Sequence, residues 1–284
     1  MQNRVICALG CLVFLNVVIF VTLYQASAKQ SGVLSVSFLD VGQGDSIYIE
    51  APNGRQMIID GGPNESLMSA LPKVLSFGDK TIDVLVVTNP DADHYSGFIP
   101  LIESYEIGVI VESGTISDTA LYDSFQDLIS QRDVEHVEAY IGQKIVLDKE
   151  NNIYLEILFP DRDVATWDSN DGSIVSKLVY GNTSVLLMGD STKLTEGIVV
   201  SRNDLSGVDI LKAGHHGSKT STGLPLLEES KPSVVVISAG EDNRYGHPDE
   251  ETIENLNEMN IPYLVTMDEG TITFISDGRL FIRK

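Results

Sequence analysis

Cysteine and basic residues are scarce in this chain. Of its 284 residues only two are cysteines, Cys7 and Cys11, and both lie in an apolar stretch near the N-terminus. Their position excludes a disulfide framework and a cysteine-ligated zinc site from the rest of the chain. The 19 Lys and Arg residues are outnumbered by 41 Asp and Glu residues, which gives a net charge of -22. Such a charge disfavours broad nucleic-acid binding, because it repels a polyanion.

One long uncharged run stands at the N-terminus. Residues 5–23 follow Arg4 and are mostly apolar, which is the length that a helix needs to cross a bilayer. The small residues Ala26, Ser27 and Ala28 come next, in a pattern that signal peptidases cleave. We therefore expect residues 1–28 to form a membrane-targeting helix, either a signal peptide or a signal anchor. The remainder is then extracytoplasmic, membrane-anchored or secreted.

From residue 33 onward, short β-branched runs alternate with helical segments, which predicts an α/β fold. Gly181 and Asn182 separate two apolar runs and predict a tight hairpin turn. No linker rich in Pro, Gly or Ser divides the chain, so residues 29–284 are predicted to be one domain.

Rare polar residues mark the C-terminal ends of the apolar runs. In α/β sheets, ligand sites assemble at that edge, because the loops there are free to carry polar groups. Four of the five histidines lie at such ends; His136 does not and is interpreted as an ordinary residue. The residues at these ends are Asp60, Asn89, Asp91, Asp93, His94, Asp190, His215, His216 and His247.

Asp91, Asp93 and His94 lie within four residues on a loop that enters a predicted helix. Taken alone, this stretch fits either a metal site or a helix cap in which a carboxylate accepts backbone N–H groups. Because Asp190 and His215 lie at the ends of other strands, the whole set favours a metal site.

Several motifs carry a family resemblance. TNPDADHYSG at 88–97 resembles the HxHxDH signature of the metallo-β-lactamase fold, and MGD at 188–190 and AGHHGS at 213–218 resemble its later metal-binding motifs. FLDVGQGDSIYIE, IIDGG, NDGSIVSKLVYGNTSVLLMGD, LKAGHHGSKTS and NRYGHP follow the order seen in the hydrolase domain of ComEC-type competence proteins and their stand-alone relatives. The resemblance covers about residues 33–280.

This resemblance implies an αββα sandwich with two metals at the edge between its two sheets. It also implies roles for individual residues. One metal would be bound by Asn89 and Asp91, the other by Asp93, His94 and His215, with Asp190 bridging both, Asp60 orienting a ligand, and His247, Asn170 and Ser173 facing the substrate.

The sequence departs from the general signature at the first metal site. Asn89 and Asp91 stand where the signature has its first two histidines, and no histidine lies near residues 111–114. Since an amide oxygen is a neutral, weak ligand, we expect one tightly bound divalent ion and a second, weaker one. Oxygen-rich ligation favours Mn or Mg, and zinc fits the site that contains histidine.

The chemistry that follows is hydrolysis by a metal-activated water, without a protein nucleophile. Asp93 would orient or deprotonate the water, and His247 would donate a proton or stabilise an oxyanion. Lys212, Lys219 or Arg244 would neutralise a phosphate. The GQGDS segment at 42–46 is interpreted as a strand-connecting turn, because it lacks the spacing of a nucleotide-binding loop.

The resulting hypothesis is an extracytoplasmic phosphodiesterase acting on DNA or on a phosphodiester of the cell envelope. The acidic composition disfavours DNA. The alternatives are a lactone, ester or β-lactam hydrolase and a non-catalytic binding protein with a weakened first metal site. The sequence predicts a membrane contact through its N-terminal helix and no particular protein partner.

Overall fold

The computed structural model describes residues 14–18, 33–241 and 243–284. Residues 14–18 are helical and exposed. Within the described residues, no helix has both the length and the apolar character needed to cross a bilayer. The predicted membrane-targeting helix at 1–28 lies outside the described residues except for 14–18, so it stays a prediction.

The first sheet has eight strands in the order β15-β14-β1-β2-β3-β4-β5-β6. Strands β3 to β6 pair in parallel, and the remaining neighbours pair antiparallel. The strands are β1 (Leu34–Phe38), β2 (Ile47–Glu50), β3 (Gln56–Ile59), β4 (Thr81–Val87), β5 (Glu106–Glu112), β6 (Glu135–Glu138), β14 (Ile272–Ser276) and β15 (Phe281–Arg283).

The second sheet has seven strands in the order β13-β12-β11-β10-β9-β8-β7. Strands β10 to β13 pair in parallel, and β7 to β10 pair antiparallel. The strands are β7 (Lys144–Asp148), β8 (Ile153–Phe159), β9 (Val175–Tyr180), β10 (Thr183–Leu187), β11 (Ile210–Lys212), β12 (Val234–Ile237) and β13 (Tyr263–Val265).

Helices cover the outer faces of both sheets. The α-helices of the folded domain are α1 (Ser66–Ala70), α2 (Ala92–Tyr95), α3 (Phe98–Ser104), α4 (Ala120–Gln131), α5 (Lys193–Arg202), α6 (Leu224–Ser230), α7 (Glu250–Glu258) and α8 (Thr266–Glu269). Two short 3₁₀ helices, Leu71–Lys73 and Gly214–Gly217, complete the set.

Three apolar clusters show how these layers stack. One lies between the sheets and includes Val86 of β4 and Val185 of β10. The neighbouring residues Leu85 and Leu186 point the other way, into clusters shared with the helices. Because side chains alternate along a strand, each of these central strands is buried on both faces. The domain is therefore a four-layered αββα sandwich, as predicted.

The sequence analysis did not predict five elements: β6, β7, α5, α8 and β15. Helix α5 contains Gly197 and the β-branched pair Val199 and Val200, which are poor helix formers. Thr192 starts this helix by accepting a hydrogen bond from the Leu194 backbone N–H. Strand β6 is a short edge strand with mostly exposed side chains, so it lacks the apolar alternation that marks a strand.

Candidate metal centre

Four side chains converge where the carboxyl ends of β4, β10 and β11 meet. Asp93, His94, Asp190 and His216 each present a ligand atom, and these atoms lie within 4.8 Å of one another. Asp93 and His94 belong to α2, which follows β4, while Asp190 follows β10 and His216 lies in the 3₁₀ turn after β11. A hydrogen bond from the Ile174 backbone N–H to the Thr88 carbonyl (2.9 Å) joins the two sheets here.

His94 is held with one ring nitrogen turned into the cluster. Its Nδ1 lies 2.9 Å from Asp60 Oδ2, and its buried Nε2 points towards Asp190 Oδ2, which lies 3.1 Å away. Asp60 is fixed in turn, because its two oxygens accept hydrogen bonds from the backbone N–H and hydroxyl of Thr88. A carboxylate that accepts from Nδ1–H leaves the Nε2 lone pair free for a metal. The geometry places Asp60 behind a ligand, the position its predicted role requires.

Asp190 lies at the middle of the cluster. Its Oδ2 is 3.1 Å from His94 Nε2 and 3.5 Å from His216 Nε2, and its Oδ1 is buried without a hydrogen-bond partner. The Asp190 backbone N–H donates to Ser173 Oγ at 3.0 Å. Free carboxylate and imidazole atoms in one buried place are a donor set that suits a divalent cation.

The two adjacent histidines after β11 differ in position. His216 is buried; its Nδ1 lies 3.0 Å from the Ser238 carbonyl and its Nε2 lies 3.3 Å from Asp93 Oδ2. The side chain of His215 is 26% exposed, and its Nε2 lies 3.9 Å from Asp190 Oδ2. The structure thus brings His216 into the cluster, a residue that the sequence analysis did not assign as a ligand. His215 as a ligand stays a prediction.

The turn that carries these histidines has an unusual backbone. Both His215 (φ 46°) and His216 (φ 54°) adopt left-handed conformations, which disfavour side chains larger than glycine. Thr222 accepts a hydrogen bond from the Gly214 backbone N–H, and the buried Glu196 accepts from the Thr222 and Gly223 N–H groups. These contacts hold the strained turn in place.

A buried ion pair lies directly behind His216. Lys212 and Asp45 form a salt bridge with side chains that are each 1% exposed, and Asp45 Oδ1 lies 3.3 Å from His216 Nδ1. Lys212 also donates to the Gly189 carbonyl at 3.1 Å. Lys212 is therefore unavailable to a phosphate, contrary to the sequence-based expectation. A Cβ at Gly44 would come within 2.5 Å of the Asp93 carbonyl, so the GQGDS turn packs tightly against the centre.

The carboxylates and imidazoles of the cluster perturb one another. Burial alone would lower the pKa of His94, but Asp190 and Asp60 outweigh it and hold that pKa well above its usual value. The pKa of His216 rises to about 10 because Asp190 and Asp45 likewise outweigh burial. Burial would raise the pKa of Asp190, yet His216 and His94 hold it well below its usual value. The carboxylates of the cluster therefore favour a positive charge at this site. A metal ion would compete with the protons on the His94 and His216 rings.

Asn89 and Asp91 are tied to the protein. The Asn89 side chain is buried; its Oδ1 accepts from the Asp91 backbone N–H at 2.9 Å and its Nδ2 donates to Ser173 Oγ at 3.2 Å. Asp91 Oδ2 accepts from Ser169 Oγ at 2.7 Å. The group of four does not include either residue. Their roles as ligands stay predictions.

The predicted substrate-facing residues take different places. Ser173 is fully buried and braces Asn89 and Asp190, so it lies behind the site and does not face a substrate. Asn170 is half-buried and its Oδ1 has no hydrogen-bond partner. Lys219 and Arg244 are exposed, so both are accessible to a ligand.

His247 lies beside the cluster. Its ring centroid is 6.3 Å from that of His216 and 5.5 Å from that of His215, and its Nδ1 is buried without a hydrogen-bond partner. Burial lowers the pKa of His247, and the neighbouring His216 and His215 add to the effect. A neutral imidazole with a free nitrogen is suited to hydrogen bonding with a ligand.

His136 lies away from this edge, in strand β6. Its Nε2 contacts Glu112 Oε2 at 2.7 Å. The sequence interpretation of His136 as an ordinary residue agrees with this contact.

Comparison with known proteins places this geometry in a family. The sequence profile of the metallo-beta-lactamase superfamily matches residues 39–241. ComE operon protein 3 of Bacillus subtilis (strain 168) is 29% identical over 264 residues, which are 86% of this chain and 33% of that protein. Competence protein ComA of Neisseria gonorrhoeae is 26% identical over 256 residues, 88% of this chain and 33% of that protein. The predicted resemblance to ComEC-type competence proteins is confirmed, and the chain spans about a third of the length of these relatives.

A solved structure agrees on the fold. The metallo-beta-lactamase fold protein YhfI from Bacillus subtilis superposes with a TM-score of 0.58 at 11% identity, covering 86% of this chain and 100% of that one. At this identity the likeness concerns the fold alone. The sequence profile, the two-sheet sandwich and the His/Asp cluster at its edge agree with one another: this chain belongs to the metallo-beta-lactamase superfamily.

Proposed function

We propose that this protein is a metal-dependent phosphodiesterase that acts on DNA or on a phosphodiester of the cell envelope. The observation that carries the proposal is the cluster of Asp93, His94, Asp190 and His216, in which Asp190 Oδ1 is buried without a hydrogen-bond partner and His94 Nε2 lies 3.1 Å from another cluster atom, Asp190 Oδ2. Buried polar atoms are normally paired, so the unpaired Asp190 oxygen supports a bound cation.

The four residues of the cluster would hold the ion. A divalent ion held there would supply a Lewis acid, which would lower the pKa of a water molecule and polarise a phosphoryl oxygen. Its identity is open between manganese, magnesium and zinc: two carboxylates favour the first two, and two imidazoles also suit zinc.

Two side chains act on the water and on the developing charge. Asp93 is the most exposed member of the cluster, with 32% of its side chain accessible. Burial would raise the pKa of Asp93, but a hydrogen bond from His216 and the charge of His94 outweigh it and lower that pKa. Asp93 is therefore ionised at neutral pH and accepts a hydrogen bond or a proton from water. The neutral His247 donates a hydrogen bond to an oxyanion in preference to delivering a proton.

The surroundings of the cluster support a phosphodiester as substrate. Arg244 lines a cleft of about 410 Å³ whose wall contains Asp93, so a positive charge lies near the reacting groups. The name of one sequence relative, competence protein ComA of Neisseria gonorrhoeae, refers to competence, which supports DNA as one substrate. The uncharged run at 5–23 supports an extracytoplasmic location.

A specific observation favours a second candidate, a protein that binds ligands in the cleft without turnover. Asn89 and Asp91 stand where a first metal site is predicted, yet their side chains bond to the protein. A site with one ion lacks the paired ions that clamp both attacking and leaving oxygens in two-metal phosphoryl transfer.

The test is hydrolysis of bis(p-nitrophenyl) phosphate and of plasmid DNA by the full-length chain with added Mn²⁺, Mg²⁺ or Zn²⁺. We expect cleavage that EDTA abolishes and that Asp190→Ala removes, while Asp118→Asn, at an exposed position, retains it. A chromogenic cephalosporin and a lactone serve as parallel substrates. Hydrolysis of these alone would replace the phosphodiesterase by the ester or lactam hydrolase. Absence of any turnover would favour the binding protein.

A further inference from the structure

A pocket lies among the helices that cover the second sheet. It has a volume of about 300 Å³, which is at the lower end of the range for small-molecule sites. Its walls include Glu196 and Gly197 of α5, Leu224 and Leu226 of α6, and Glu251 of α7. None of the residues that line it belongs to the cluster of four that could hold a metal. The pocket is therefore a site separate from the metal centre.

The floor of the pocket is open at Gly197. This glycine lies in the interior of α5, where glycine costs about 1 kcal/mol relative to alanine. A Cβ placed on it meets no atom of the described residues within 4 Å, apart from its chain neighbours and the backbone of α5. Packing against the rest of the protein therefore does not require glycine here, and a larger side chain would project into the pocket.

One wall of the pocket is apolar. Leu226 is buried in the cluster that joins the helices to the second sheet, Leu224 is half-buried, and Pro225 is exposed. Apolar surface of this kind favours the apolar body of a ligand, because binding removes both surfaces from water.

Carboxylates give the pocket its charge. Glu196 is 3% exposed, and its two oxygens accept hydrogen bonds from the Thr222 and Gly223 backbone N–H groups. These donors are neutral, and Glu196 forms no ion pair within the described part of the chain. The nearby Lys193 instead pairs with Glu251 at 2.8 Å. When Glu196 is ionised, two carboxylates against one ammonium group leave the pocket negatively charged.

We propose that this pocket binds a small organic ammonium ion, a primary amine with an apolar body. The ammonium group faces the carboxylates of Glu196 and Glu251, and the body packs against Leu224 and Leu226. A buried carboxylate gains from a cation that donates hydrogen bonds to it, because burial has removed its water. A carboxylate-bearing ligand of the same shape would meet two like charges. This inference does not depend on the proposed function, since no group in the pocket acts on the metal or the water.

The test is NMR titration of the full-length chain, labelled with ¹⁵N-glycine, with hexylammonium, hexanol or hexanoate. At about pH 8 a primary amine is protonated, and Glu196, whose pKa burial raises to about 7, is ionised. We expect hexylammonium to shift the amide signals of Gly197 and Gly223 with a dissociation constant on the order of 1 mM. Hexanol should bind ~10-fold more weakly, since it lacks the charge-assisted hydrogen bond, and hexanoate should cause no shift. Equal affinities for hexylammonium and hexanol would overturn the inference.

Two leucine substitutions test the location of the ligand. Gly197→Leu fills the floor of the pocket and should abolish the shift at Gly223. Ser201→Leu adds the same side chain to the same helix at an exposed position outside the pocket and should retain it. An unchanged shift in Gly197→Leu would place the ligand elsewhere and overturn the inference.

Two further substitutions test the role of charge. Glu251→Gln should weaken hexylammonium binding by about 5-fold, and Lys193→Gln, which removes the competing ammonium group, should strengthen it by a similar factor. Hexanol provides the control, because its affinity should change little in either variant. Unchanged hexylammonium binding in both variants would contradict recognition of the ammonium charge.

Addition of Zn²⁺ separates this pocket from the metal centre. The centre also favours positive charge, so an ammonium ion bound there would be displaced by the diamagnetic Zn²⁺. We expect the same hexylammonium affinity with Zn²⁺ as with EDTA, and competition by Zn²⁺ would overturn the inference. Because the readout is binding, a failure of the protein to hydrolyse bis(p-nitrophenyl) phosphate would remove the proposed function and leave this site.

Discussion

The two halves of the candidate centre differ in what their polar side chains contact. Asp190 keeps a buried oxygen without a hydrogen-bond partner, while His94 Nε2 and His216 Nε2 both point towards the other Asp190 oxygen. Asn89 and Asp91 instead bond to Ser173, Ser169 and the local backbone. Residue type alone would make all five candidate ligands. The difference lies in their contacts: the ligand atoms of the first three face one another, whereas both polar atoms of the Asn89 side chain and one oxygen of Asp91 hydrogen-bond to neighbouring residues.

The largest change in the free energy of unfolding is expected for the buried Lys212–Asp45 pair behind His216. Lys212→Met removes the lysine partner of the buried Asp45 carboxylate and leaves it with the His216 ring, 3.3 Å away, so we expect the free energy of unfolding to fall by about 3–5 kcal/mol in urea titrations. The exposed pair Lys193 and Glu251, 2.8 Å apart, gives the control: Lys193→Met should cost less than about 1 kcal/mol. Similar losses of unfolding free energy in the two variants would show that the buried pair stabilises the fold no more than the exposed pair does.

The buried Glu196, which supports the turn that carries His216, should make the stability of the fold depend on pH. Burial raises its pKa to about 7 against the opposing hydrogen bonds from Gly223 and Thr222. Because the pKa in the folded state exceeds the ordinary glutamate value of 4.5, the folded state binds more protons than the unfolded state between these two pH values. Stability from this group is therefore present at low pH and falls as the pH rises towards 7, by on the order of 3 kcal/mol.

Glu196→Gln removes that titration. We expect the difference in unfolding free energy between the unmodified protein and the variant to change with pH between about 4.5 and 7 and to be flat above it. A pH-independent difference would contradict the raised pKa. Asp204→Asn, at an exposed carboxylate remote from the turn, serves as the reference variant.

The adjacent residues His215 and His216 are expected to contribute differently to metal affinity. His216→Ala should lower the affinity for Mn²⁺ or Zn²⁺ by about 100-fold, the upper end of the losses seen when groups around a metal are removed. His215→Ala should lower it by less than about 10-fold, since the partly exposed His215 lies farther from Asp190. Isothermal titration calorimetry measures both. A larger loss of affinity in His215→Ala than in His216→Ala would favour His215, the residue predicted from the sequence, as the metal ligand.

The smallest effect on metal binding is expected at Asn89, whose side chain hydrogen-bonds to the protein. Asn89→His supplies an imidazole where the family signature has one, and we expect binding of a second ion to strengthen by about 10-fold, ~1.4 kcal/mol. The gain is limited because the new ring must replace two hydrogen bonds in a buried place. Asn89→Gln changes the side-chain length without adding an imidazole. An unchanged metal stoichiometry in Asn89→His would contradict a latent site there.

The alternation of apolar runs and helical segments predicted an α/β fold because such patterns are local signals, whereas the αββα layering was predicted from the family resemblance. Asp60, Asp93, His94 and Asp190 were also predictable, since each follows a buried strand and the carboxyl ends of such strands meet at one edge. Elements with weak local signals, such as the edge strand β6 and the glycine-containing α5, were not.

The choice between His215 and His216 could not be made from the sequence. It depends on two consecutive left-handed residues, and on a turn held from a distance by Thr222 and Glu196. The same holds for Lys212, which looked like a phosphate ligand until its partner Asp45 was located 167 residues away in the chain.

Anomalous diffraction from crystals of the full-length chain grown with Mn²⁺ tests the metal centre most directly. We expect one strong manganese peak in contact with His94 Nε2, Asp190 and His216 Nε2, and a weaker peak or none beside Asn89 and Asp91. A strong peak bound by Asn89, Asp91 and His215, with His216 turned away from the metal, would contradict this assignment.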